Sequence, residues 1–102
     1  MTDLPIACTL SAPELREREA TVLAEVRARV QEVQDLDSGY ALRFDAGEGI
    51  LVLLATLIDL ERRCCPFLRF DLKVLPGGGP LWLELSGPEG TRSFLRTVLD
   101  LP

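Results

Sequence analysis

The chain has 102 residues, enough for one small domain around one core. Hydrophobic residues make up 47% and charged residues 26%, the balance of a soluble globular protein. A net charge of −5 with no basic tract argues against nucleic-acid binding by this chain alone, and the longest apolar run, Gly49 to Leu60, is broken by Thr56 and Asp59 and is too short to span a bilayer. No charged-then-apolar leader opens the sequence, so a cytoplasmic location is expected.

Leu4, Ile6, Cys8 and Leu10 alternate with Pro5, Ala7 and Thr9, which reads as a first strand with Cys8 on its apolar face. Ser11-Ala12-Pro13-Glu14 is a helix start: Ser11 can cap free amides, Glu14 can reach back, and Pro13 sits where its missing N–H does no harm. This helix is expected to run to about Val33, burying Leu15, Val22, Val26, Val30 and Val33 and leaving Glu17, Arg18, Glu25 and Glu32 in water. Asp35 to Gly39 is a polar connection. Tyr40, Leu42 and Phe44 then alternate with Ala41 and Arg43 as a second strand.

After the turn Asp45-Ala46-Gly47, a second helix is expected from Glu48 to Cys64, stopped by Pro66. Leu68, Phe70, Leu72 and Val74 alternate with Arg69, Asp71 and Lys73, the clearest half-buried strand in the chain. Pro76-Gly77-Gly78-Gly79-Pro80 reverses the chain into a partner strand carrying Leu81, Leu83 and Leu85. This glycine run joins two strands and lacks a following Lys-Ser/Thr, so it is a hairpin turn rather than a phosphate loop. Ser86-Gly87-Pro88-Glu89 opens a last helix with Phe94, Leu95, Val98 and Leu99 inward. The order β-α-β-α-β-β-α in a single domain, residues 1–102, predicts a two-layer α/β sandwich: a mixed four-stranded sheet with helices on one face.

The chemistry concentrates in Glu61-Arg62-Arg63-Cys64-Cys65-Pro66-Phe67. At about 100° per residue, Ile50, Leu53, Leu54 and Leu57 form one stripe of the second helix, with Glu61 in its middle and Cys64 and Cys65 on either side. A carboxylate and two thiols then face the interior, where an unpaired charge is costly. Strand alternation points Cys8 toward the same layer. Three thiols without any histidine suit a soft ion such as Hg(II), As(III) or Cu(I), or Zn with Glu61 as a further ligand. The predicted metal ligands are therefore Cys8, Cys64, Cys65 and Glu61. Cys8 with Cys64 or Cys65 is also the pairing open to a disulfide, since adjacent cysteines would close a strained ring. A thiolate near a helix C-terminus meets the negative end of the macrodipole, partly offset by Arg62 and Arg63, which favours binding over fast nucleophilic catalysis.

Plainer readings stand beside this one. Free cysteine often serves as a small core hydrophobe. Glu61 near a helix end can bend to solvent or pair with Arg43 or Arg69. Trp82, with Arg43, Arg69 and Lys73, marks a contact surface on the open sheet face suited to a homodimer, or else lies flat over aliphatic stems. Three functions follow: a thiol-based binding module for a soft metal or metalloid; an enzyme, either of organomercurial-lyase type or a thiol-redox protein; or a structural dimerisation domain with core cysteines.

The segment from Glu61 to Phe70, with the Gly-rich hairpin from Pro76 to Leu83 and Ala7-Cys8-Thr9-Leu10-Ser11, resembles a group of small bacterial Cys-Cys-Pro-Phe proteins. Similar segments occur alone and fused behind MerR-type, heavy-metal-responsive regulator domains. The resemblance covers most of the chain and implies a link to thiophilic metal stress. No helix-turn-helix is present here, so a regulator role implies a separate partner.

Overall fold

The computed structural model describes residues 12–101. The expected first strand, with Cys8, lies outside the described residues. The elements are α1 (Pro13–Arg29), β1 (Val30–Leu36), β2 (Gly39–Phe44), α2 (Ile50–Cys64), β3 (Arg69–Val74), β4 (Leu81–Ser86) and α3 (Thr91–Val98).

Pro13 occupies the first turn of α1, and the Arg16 amide closes that turn on the Ala12 carbonyl at 3.1 Å. Val22 and Val26 are buried, as the helical stripe predicts. The helix stops at Arg29, however, and Val30 to Leu36 form a strand where a longer helix and a polar connection were expected. The reason is a β-bulge. β1 pairs with β2 through Val30–Phe44 and Val33–Leu42, with a register shift between Val30 and Glu32. The extra residue puts two valines three apart on the same face of a strand, a spacing that mimics a helical stripe.

The sheet order is β1-β2-β4-β3. Every pairing among the described residues is antiparallel. The expected mixed sheet is thus corrected: the four described strands form an antiparallel sheet, because Val30–Leu36 enters it as a strand paired antiparallel with β2. Gly39 is obligatory at the start of β2, because a Cβ there would lie 1.7 Å from the Leu85 carbonyl oxygen. Positive φ at Gly77 (70°) and Gly78 (72°) turns the β3–β4 hairpin.

Tyr40, Leu42 and Phe44 of β2 and Leu81, Leu83 and Leu85 of β4 form the inner face of the sheet. Val22 and Val26 of α1, Ile50, Leu54, Leu57 and Leu60 of α2, and Leu95 of α3 join them in one core cluster. The result is the expected two-layer α/β sandwich, a four-stranded sheet with its helices on one face. The outer face is polar. It carries the ion pairs Arg43–Glu32 at 3.2 Å and Lys73–Glu84 at 2.6 Å. Trp82 is half-buried between its cross-strand neighbours Arg43 and Lys73. The last helix starts later than Ser86 would place it: the chain turns at Gly90, with φ 97°, and the Thr91 amide reaches the Pro88 carbonyl at 3.1 Å.

No helix among the described residues is long and apolar enough to cross a membrane.

Candidate functional site

The apolar stripe of α2 runs Ile50, Leu54, Leu57 and then Glu61 and Cys64, all buried. Glu61 thus sits one turn beyond Leu57, on the face that packs into the core, and is only 6% exposed. Pro66 ends the helix. The residue before proline cannot stay helical, and Cys65 has left the helix at φ −124°, ψ 73°. Its amide still reaches the Glu61 carbonyl at 2.6 Å, and its carbonyl accepts the Leu68 amide at 3.0 Å.

This turn gathers three donors. A carboxylate oxygen of Glu61 and the sulfurs of Cys64 and Cys65 lie within 4.8 Å of one another, and all three residues are buried. Cys65 is 1% exposed and its thiol donates to Glu61 Oε2 at 3.5 Å. Phe67 packs over the two cysteines together with Phe94, the two rings meeting edge to face at 5.1 Å. The cluster is therefore closed off by hydrocarbon. Beside it, a crevice of about 20 Å³ has Glu61 as its one polar wall among side chains such as Leu57, Leu68, Phe70 and Phe94. That is room for roughly one water.

Sequence reasoning missed Glu19. It is half-buried on α1, and its carboxyl is in hydrogen-bonding contact with that of Glu61. The signal was present: Glu19 follows Leu15 by four residues and precedes Val22 by three, which places it on the buried face of α1. Two facing carboxyls cannot both be ionised without repulsion. Burial, then the hydrogen bond and charge of Glu19, push Glu61 up to about 8, with the Cys65 hydrogen bond opposing. Glu61 Oε1 is buried and receives no hydrogen bond among the described residues. A proton on Glu61 converts this acceptor-only contact into a donor–acceptor pair. Burial, followed by the Glu61 charge, pushes the Cys65 thiol up to about 12.

The arginines proposed as partners of Glu61 are engaged elsewhere. Arg43 pairs with Glu32 and Asp45, and Arg69 with Asp71. Arg62 and Arg63 both bind Asp59 on the exposed side of α2. Of the four predicted ligands, the structure brings Glu61, Cys64 and Cys65 together, while Cys8 is outside the described residues. Cys64 is disulfide-bonded and Cys65 is free.

Two thiols and a carboxyl can hold a metal ion only after Cys64 is reduced and the cluster tightens. Sulfur ligands about 2.3 Å from a tetrahedral ion stand roughly 3.8 Å apart. The present spread of up to 4.8 Å needs about 1 Å of contraction, within reach of side-chain rotation.

No family model, curated protein or solved structure matches the chain.

Proposed function

We propose that this protein binds a soft or borderline metal or metalloid ion through Cys64 and Cys65 in their reduced form, with Glu61 as an oxygen ligand and Cys8 as a third sulfur. One observation carries the reading: three metal-ligating groups converge within 4.8 Å in a buried site. Burying acidic donors without a cation is unfavourable, and a bound ion removes that penalty. In the apo protein protons fill the same role, held by Glu61 and by the Cys65 thiol. A metal ion would displace those protons, so its affinity rises with pH. Thiolates select Hg(II), As(III), Cu(I) or Zn over hard ions. The resemblance of the Cys-Cys-Pro-Phe segment to segments of heavy-metal-responsive regulators supports a place in metal stress.

Native mass spectrometry of the reduced protein against Zn(II), Cu(I), Hg(II) and As(III) tests the reading. A one-to-one complex that weakens strongly in Cys64→Ser and in Cys65→Ser is expected. Undiminished binding in the double variant would put the ion elsewhere.

A second reading, cysteines serving only as core, is favoured by the 1% exposure of Cys65 and the aromatic cover of Phe67. It predicts no retained ion of any kind and thiols that react only after unfolding.

A further inference from the structure

Among the described residues the buried cluster offers three donors, Glu61, Cys64 and Cys65, one short of the four that a tetrahedral zinc ion takes. Glu19 of α1 stands beside it. Its carboxyl is in hydrogen-bonding contact with that of Glu61, and its charge is felt at the Cys65 thiol. One turn further along α1, Leu23 lines the crevice that Glu61 walls. The side of α1 that carries Glu19 therefore faces the end of α2.

The Glu61 carboxyl is oriented for a partner that no described side chain supplies. Its Oε2 accepts the Cys65 thiol at 3.5 Å. Its Oε1 is buried and receives no hydrogen bond, in a residue only 6% exposed. What abuts this carboxyl is a second carboxyl, where a neutral or cationic side chain would cost less. A divalent cation reverses the sign of that contact. It attracts both carboxylates and both thiolates, and their protons pass to water.

We infer that Glu19 is the fourth ligand of the site in the reduced protein, and that the ion is Zn(II) or a similar borderline divalent cation, held by two sulfurs of α2 and its neighbouring turn and by one oxygen from each helix. This inference rests on the metal-binding reading above and narrows its ion. Zinc accepts thiolate and carboxylate together in one tetrahedron. Cu(I) and As(III) bind through sulfur and have no use for the second carboxylate. Mg(II) and Ca(II) take oxygen and leave sulfur out. A ligand on α1 also makes the ion a tie between two helices, so zinc stabilises the folded chain.

The test titrates the reduced full chain and its Glu19→Gln variant with Zn(II) and with arsenite, oxygen excluded, and reads each affinity by isothermal titration calorimetry. Glu19→Gln is expected to bind zinc at least about tenfold more weakly, the lower end of what loss of even a supporting group costs a metal site. Arsenite binding is expected to be unchanged, which also shows that the variant is folded. Glutamine removes a like charge beside Glu61 and so favours its ionised form. An effect carried only through Glu61 would therefore tighten zinc binding, the opposite of losing a donor. Equal or tighter zinc binding in the variant overturns the fourth ligand and leaves the thiol site standing. Equal losses of zinc and arsenite show that Glu19 acts through the fold and overturn the inference as well. A wild type that binds arsenite but not zinc overturns this inference alone. A wild type that retains none of Zn(II), Cu(I), Hg(II) and arsenite overturns both it and the reading beneath it.

Discussion

The Cys65 sulfur lies 3.5 Å from Glu61 Oε2, and neither residue is more than 6% exposed. Burial raises the pKa of both groups; the Glu61 charge and the Cys65–Glu61 hydrogen bond raise the thiol further, while that same hydrogen bond opposes the rise of Glu61 without overcoming burial and Glu19. The pair is thus held in its protonated form.

Stability should fall as pH rises across the titration of Glu61. An unfolded glutamate titrates near 4.5, and Glu61 in the fold near 8. Between these values the native protein holds a proton that the unfolded chain has released, so the slope of unfolding free energy against pH is negative and levels off above about 8. At about 1.4 kcal/mol per pKa unit, the whole window is on the order of 3–5 kcal/mol. Urea denaturation at pH 5 and pH 9 should show this loss in the wild type and little of it in Glu61→Gln. A wild type as stable at pH 9 as at pH 5, relative to the variant, would contradict the buried-acid assignment.

Glu19→Gln should move the Glu61 titration to lower pH. The substitution removes the carboxyl that both charges and hydrogen-bonds Glu61. Burial, the leading cause, is untouched, so the shift is partial. Carbon-13 NMR of the glutamate carboxyls, with Glu61→Gln to assign the resonance, follows this directly. An unchanged midpoint would show that the two carboxyls do not communicate.

Cys65 should resist alkylation in the native state. Its thiol is pushed up to about 12, and access is closed by Phe67 and Phe94. Iodoacetamide should modify it slowly below pH 9 and rapidly in denaturant, because the thiolate is the nucleophile. Phe67→Ala, which opens the cover, should speed native modification by at least about tenfold, a change of roughly 1.4 kcal/mol in the energetics of exposure. Rapid labelling of native wild type would place the thiol in a reactive rather than a sequestered setting.

Gly39→Ala should destabilise the fold severely. The added methyl would meet the Leu85 carbonyl oxygen at 1.7 Å, a backbone atom that can yield only by parting β2 from β4. A loss of about 3 kcal/mol or more in a denaturation experiment is expected from such central-sheet strain.

Much of this architecture was legible in the sequence, for identifiable reasons. Period-2 alternation marked β4, which has one wet face and one dry face, and marked β3 although its apolar side is only partly covered and Val74 at its end is 56% exposed; the stripe from Ile50 to Leu57 carried Glu61 and Cys64 inward with it. β1 was hidden because its bulge places Val30 and Val33 at helical spacing. Glu19 was hidden by its chemistry: a carboxylate on α1 reads as solvated until a second helix brings another acid against it, and the packing of α1 on α2 is a long-range fact that local periodicity does not encode. The oxidation state of Cys64 was likewise beyond pattern, since a spacing of cysteines names the possible bonds without choosing among them.

X-ray absorption spectroscopy of the reduced, metal-loaded protein tests the central claim most directly. The account predicts at least two sulfur scatterers near 2.3 Å with an oxygen at about 2.0–2.2 Å for a zinc complex, the sulfur contribution falling in Cys65→Ser. A shell of nitrogen and oxygen alone would contradict it.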